Sequence, residues 1–220
     1  MRFLLRVLPF VLTLLVWRWV KDRSWSPEAS FALIVGGPLI LVPITFLGRF
    51  LLNARPTVAR TAWVTILIHY AAMVPLGAAI IEALKLGQNW PGWRIPIPPD
   101  VGRALMVVTG AALLLTVVNL AVRGLGAPFA ISVSRRLATD WMYGWCRNPM
   151  VLCTLAFLAA WGLWLQSILF LLWVAFLVSP VWLLLVRFYE ERELEIRFGQ
   201  SYADYKARTP MLWPRPPAKG

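Results

Sequence analysis

The side chains best suited to chemistry stand in two polar clusters in the last third of the chain. The first holds Tyr143 and then Arg147-Asn148-Pro149-Met150; the second holds Glu190-Glu191 and continues to Tyr202 and Tyr205. Arginine and carboxylates are the groups that form the strong, charge-assisted hydrogen bonds by which ionic ligands are held. Pro149 follows Arg147 closely, and proline suits the first turn of a helix, whose start favours anions. Arg147 is therefore expected where a carboxylate could dock.

The elements that would bring the clusters together are legible in what separates them. Between Pro149 and Val186 no residue is charged. A bilayer core takes about 20 helical residues, about 17 at the least, so this interval is too long for one crossing and fits two short ones. Backbone groups in lipid must be paired internally, which excludes open coil, and Leu165-Gln166-Ser167 is the polar interruption near the midpoint. A helical hairpin over residues 149–187 is predicted. It returns the chain to the face it left and sets Arg147 and Asn148 beside Glu190 and Glu191.

The rest of the chain fits a membrane setting. Of its 220 residues 60% are hydrophobic, with several apolar runs long enough to cross a bilayer, which predicts an all-α, polytopic membrane bundle. The net charge of +12 comes mainly from arginines between those runs, so it speaks for topology and lipid headgroups rather than nucleic acid. Cys146 and Cys153 have neither the spacing nor the histidine neighbours of a metal site and are read as small packing residues; no metal is expected. The run from Met1 to Val16 resembles a signal peptide, but Trp17-Arg18-Trp19 stands where a small-residue cleavage site would be, so it is expected to remain as an anchor helix.

Crossings are predicted at about Phe3 to Val20, Ala29 to Leu47, Thr61 to Leu84 and Val101 to Val122. Ser26-Pro27-Glu28 reads as the start of the second, which Gly36-Gly37-Pro38 and Pro43 would kink. Asn89-Trp90-Pro91-Gly92-Trp93, with Pro96, Pro98 and Pro99, reads as a rigid interfacial loop. With the hairpin the count is about six crossings, and both termini lie on one side. Making that side cytoplasmic, in a bacterial inner membrane or its equivalent, gathers Arg2, Arg6, Arg49, Arg55, Arg60, Arg123, Arg135, Arg136 and Arg147 there. It leaves Arg18, Lys21, Arg23, Lys85, Arg94 and Arg103 outside. One integral domain is expected: residues 1–122 supply four crossings, and residues 123–220 a basic loop, the hairpin, a cytosolic helix and a tail. His69 and Asn119 are polar residues inside the third and fourth runs; both a hydrogen bond to a facing helix and a functional role are open to them.

After the hairpin, Glu190, Leu194 and Phe198 share one helical face, Glu193 and Arg197 are spaced as a solvent-facing pair, and Gly199 is a helix stop. Glu190 and Glu191 lie within about one turn of the membrane exit, where unpaired charge is costly. They are the carboxylates expected to meet a ligand.

These residues form a pattern. Arg147-Asn148-Pro149-Met150, a two-crossing hairpin, Glu190-Glu191, Leu194, Phe198-Gly199, Tyr202, Tyr205 and Thr209-Pro210 resemble the isoprenylcysteine carboxyl methyltransferase and phospholipid methyltransferase superfamily. The stretch from Leu137-Ala138-Thr139 to Tyr143 is similar to that family's approach to the motif. The resemblance covers about the last 85 residues. Where the family usually carries Arg-His-Pro, then a tyrosine and a glycine at two-residue steps, this chain has Asn148, Val151 and Cys153.

The resemblance implies a membrane-embedded transfer of methyl from S-adenosylmethionine to a lipid-like or prenylated acceptor, one that could bear a carboxylate. By it, Arg147 pairs with a carboxylate of cofactor or acceptor and Glu190 and Glu191 bind the cofactor's amine or ribose hydroxyls. Tyr143, Asn148, Pro149, Met150, Tyr202 and Tyr205 would complete the cofactor wall, and Arg147 and Glu190 would be the catalytic pair. Two other readings stand beside it: a sterol-reductase-like protein using a nicotinamide cofactor, and a non-enzymatic lipid-binding or scaffold protein.

Overall fold

A computed structural model describes residues 4–89, 94–124 and 136–217. Arg2, Phe3, Arg135 and the loop residues Trp90 to Trp93, all named above, lie outside the described residues. Those described form helices and turns, with one isolated bridge between Arg94 and Ser167. Four helices are long and apolar enough to cross a membrane: α2 (Pro27–Ala54), α3 (Val58–Asn89, its span ending at Gln88), α4 (Pro99–Arg123) and α7 (Ile168–Phe198). Shorter or more charged helices complete the chain: α1 (Leu4–Asp22), α5 (Met142–Trp145), α6 (Pro149–Trp164) and α8 (Gln200–Arg208).

Several boundaries differ from expectation for physical reasons. The second helix does not stop at Leu47 but runs to Ala54, with a local break at Ile40. Leu52, on the added turns, is buried in the core, and Arg49 reaches along the surface to donate to the Phe188 carbonyl at 3.0 Å, so this basic stretch is helix rather than loop. The third helix runs past Leu84 because Lys85 is not left in lipid. Its ammonium donates to the Val20 and Arg23 carbonyls at the end of α1 and pairs with buried Glu82 at 3.0 Å, a favourable place for a cation.

The core lies where α2, α3 and α7 meet, around Leu41, Leu52, Ile68, Phe170, Val178 and Leu185. Close approach there depends on small residues, as helix packing in a membrane does. A Cβ on Gly37 would stand 2.6 Å from both Ala79 Cβ and the Pro75 carbonyl oxygen, and one on Gly48 would stand 2.6 Å from the Tyr189 ring. Helix α4 stands apart from this core and packs on α6.

Helix α7 carries two π-helical turns, Val174–Val178 and Val186–Glu190. At about 1.5 Å per residue its 31 residues are longer than the roughly 30 Å hydrocarbon core. Its last turns, from Arg187 on, carry most of its charge and extend past the apolar part.

Candidate functional site

Residues 165–167 break the hairpin. Gln166 turns the chain with φ of 53°, accepts the Ile95 amide through its carbonyl at 2.9 Å, and donates through its side chain to the Ile97 carbonyl at 2.8 Å. The two arms return Arg147 to Glu191: guanidinium and carboxylate meet at 2.5 Å, with 8% and 4% of the side chains exposed.

That contact belongs to a larger closure. Arg147 also donates to the backbone carbonyls of Lys206 at 2.9 Å and Thr209 at 2.7 Å. Its own amide donates to the Pro210 carbonyl, and the amide and side chain of Asn148 both donate to the Met211 carbonyl. Further along, the Arg215 amide donates to the Trp145 carbonyl. Residues 209–215 therefore lie as a strap along residues 145–148. Tyr205 joins it from α8, donating from its hydroxyl to the Tyr143 carbonyl at 2.6 Å. Pro149 and Tyr202 are buried and Met150 half-buried. Glu191 takes two further cations, Lys206 at 2.7 Å and Arg187 at 2.8 Å. Although burial works against its charge, Lys206 is held above its ordinary range by Glu191 and Glu195.

The predicted residues thus divide in two. Arg147, Asn148, Glu191 and Tyr205 spend their polar atoms on one another and on the tail. Nη1 and Nη2 of Arg147 are engaged by the two backbone carbonyls and Glu191, and among the described residues its Nε is buried without a partner, so most of the guanidinium is spent inside the fold. Glu190 is different. It is half-buried, yet no side chain among the described residues pairs with it. Burial pushes the Tyr143 phenol up, and the negative charge of Glu190 adds to the effect; the phenol therefore stays protonated and can donate. A carboxylate acceptor and a phenol donor, neither paired through its side chain among the described residues, are what this corner offers a ligand. The thiol of Cys146 is pushed up by burial, and both cysteines are free and buried, as packing residues would be.

The pair Glu193–Arg197 does not face solvent. The two meet at 2.5 Å with 7% and 9% of the side chains exposed, and Thr65 of α3 lies near enough to favour the charged form of Glu193. The spacing correctly names the partners, but the face they occupy packs on α3. Sequence reasoning also missed Lys206 and Arg187 as partners of Glu191, although α-helical spacing from 187 to 191 was a usable signal for the second.

The segment before Arg147 is tied to the end of α4. Arg123 pairs with Asp140 at 3.2 Å and lies 5.2 Å over the Trp141 ring. Trp141 holds the left-handed φ of 51°, a strained conformation for a residue with a side chain. The next amide, of Met142, donates to Asn119 Oδ1 at 3.1 Å. His69 stands on α3, its ring edge-on to Tyr70 and its Nε2 buried without a hydrogen-bond partner among the described residues. An open dent bounded by Leu15, Arg18, Trp19, Asp22 and Arg23 lies on α1, toward the other end of the bundle, and takes no part in the cluster.

Residues 101–201 match the family model of phospholipid methyltransferase. No curated protein and no solved structure matches the chain. The matched stretch takes in α4, residues 143–150, the hairpin and Glu190-Glu191, and it ends before Tyr202 and the strap. It favours methyl transfer over the reductase and scaffold readings.

Proposed function

We propose, from the match of residues 101–201 to the phospholipid methyltransferase family, that this integral membrane protein takes a methyl group from S-adenosylmethionine and delivers it to a lipid acceptor at the bilayer surface. The observation that carries the reading is that half-buried Glu190 has no pairing side chain among the described residues while its neighbour Glu191 is fully paired; Tyr143 lies near enough to feel its charge. Such a carboxylate fits the amine and ribose hydroxyls of the cofactor, which are donors, and Tyr143 fits an acceptor atom. When bound, the cofactor supplies a methyl already activated by its sulfonium, so alignment and exclusion of water are the main demands on the protein.

Arg147 enters this reading as a positioning residue rather than a ligand for substrate. With Glu191 it holds residues 143–148 against α7 and the strap, and Asn148, Pro149, Met150, Tyr202 and Tyr205 shape the same wall. A carboxylate acceptor would be nucleophilic as it stands, whereas an amine must first lose a proton. With Arg147 engaged internally, the case for a carboxylate acceptor loses its strongest cation, and Glu190 is the group that would take a proton from an amine. The same proposal includes six crossings with α1 and the short α6 among them, and termini on the cytoplasmic side.

The test is the purified protein in nanodiscs. S-adenosylhomocysteine at 100 times its dissociation constant should stabilise it by about 2.7 kcal/mol, NADPH should not, and Glu190→Gln should lose that stabilisation while the ligand-free protein melts as before. Stabilisation by NADPH alone, or by neither compound in folded protein, would end this reading. If Glu190→Gln keeps its affinity and loses only kcat, the carboxylate handles a proton instead of the cofactor.

A further inference from the structure

Asn119 is fully buried near the cytoplasmic end of α4 as oriented above, and one side of its amide is fixed. A backbone N–H can only donate, so the Met142 amide must face Oδ1, at 3.1 Å. The nitrogen is thereby forced to point the other way. Among the described residues Nδ2 has no hydrogen-bond partner, which leaves two N–H donors buried without an acceptor.

For packing alone an asparagine is a costly choice here. Unpaired buried donors carry the full cost of lost hydration, more than a single backbone hydrogen bond returns, and in a lipid setting the cost is not relieved by water. Leucine would fill the same space without it. The place of Asn119 is equally specific: its Oδ1 holds the first amide of the short helix that carries Tyr143, directly after the strained Trp141.

We infer that Asn119 is a ligand-binding residue, its Nδ2 donating to an acceptor oxygen of the bound molecule while its Oδ1 holds the Tyr143 segment in place. The inference rests on the methyl-transfer reading and adds a residue to that site. Two molecules could bring the oxygen: the carboxylate or hydroxyls of the cofactor, or the phosphate or ester of a phospholipid. Both are acceptors, and neither asks for a charged partner here.

The experiment compares wild type with Asn119→Leu and Asn119→Asp. Thermal unfolding is read with and without S-adenosylhomocysteine, and KM is read for phosphatidylethanolamine vesicles. Asn119→Leu removes the unpaired donors and also the acceptor of the Met142 amide, two effects of opposite sign, so its ligand-free melting temperature is expected to stay close to that of the wild type. The variant should lose about tenfold in ligand affinity, the usual weight of one buried hydrogen bond to a ligand. Asn119→Asp keeps an oxygen facing Met142 and, ionised, puts a second oxygen where the donors stood, which repels an acceptor atom of the ligand, so it should lose at least about tenfold. A weakened cofactor shift assigns the donor to the cofactor; a raised lipid KM with an unchanged cofactor shift assigns it to the lipid. An Asn119→Leu that folds and keeps wild-type affinity and KM, or, where it does not fold, an Asn119→Asp that keeps both, makes Asn119 a structural cap and overturns the inference. Failure of wild-type protein to respond to S-adenosylhomocysteine tells instead against the methyl-transfer reading itself.

Discussion

Replacing Arg147 by methionine separates holding the site from acting in it. The guanidinium makes three contacts at once: Glu191 at 2.5 Å, the Lys206 carbonyl at 2.9 Å and the Thr209 carbonyl at 2.7 Å. Breaking one side of a buried ion pair costs about 3–5 kcal/mol where the other charge is left alone. Glu191 is not left alone, since Lys206 and Arg187 remain within 2.8 Å, which reduces that part. The two carbonyls, however, lose charge-assisted bonds, of the class worth about 1.5–3 kcal/mol each, and the strap around them is free to take water instead. A net loss of about 3 kcal/mol is expected, which is roughly a 150-fold shift in the docking equilibrium of the tail. Two assays read it: thermal unfolding in detergent, and the rate at which trypsin cuts after Lys206 and Arg208, which follows the population of the opened tail. Adding Glu191→Met should not recover the loss, because Glu191 still serves Lys206 and Arg187 in the single variant. Unchanged melting and unchanged cleavage in Arg147→Met would refute the latch and return the arginine to the ligand.

Two further substitutions test how the fold sets the carboxylates. Gly48→Val would drive a side chain into the Tyr189 ring, 2.6 Å from the position of a Cβ, next to Glu190; overpacking of this kind costs about 1–3 kcal/mol, and the melting temperature and methyl transfer should fall together. Arg197→Met leaves the buried carboxylate of Glu193 without its cation, for a loss of about 3–5 kcal/mol, whereas a solvent-facing pair would cost under about 1 kcal/mol. A melt within a degree of wild type would restore the solvent-facing assignment.

What was legible in the sequence follows from what a lipid environment forbids. Charge is costly in a bilayer, so the charge-free interval from Pro149 to Val186 had to be helical and had to turn, and Gln166 marks the turn with the backbone and side-chain bonds of a real corner. Helix ends were harder, because a long basic side chain reports where its charge sits and not where its backbone does. Arg49 and Lys85 both stand on helices and carry their charges to distant carbonyls, so the ends predicted at Leu47 and Leu84 fell short. Spacing named Glu193 and Arg197 as partners but had no means of telling that α3 covers them.

The two adjacent glutamates show the limit most clearly. Glu190 and Glu191 have the same chemistry and the same distance from the hairpin, and both invite the same role. A π-helical turn ends at Glu190, after which one carboxylate meets Arg147, Arg187 and Lys206 while its neighbour meets no cation among the described residues. The register of a helix against a strap more than ten residues downstream decides which carboxylate is consumed by the fold. That register is tertiary and is written nowhere in local sequence, yet it is what leaves one carboxylate available to a ligand. The charge that binds and the charge that holds must therefore respond oppositely to neutralisation: Glu190→Gln should leave the empty protein as stable as before, and Glu191→Gln should loosen it, releasing Arg147 and the tail together.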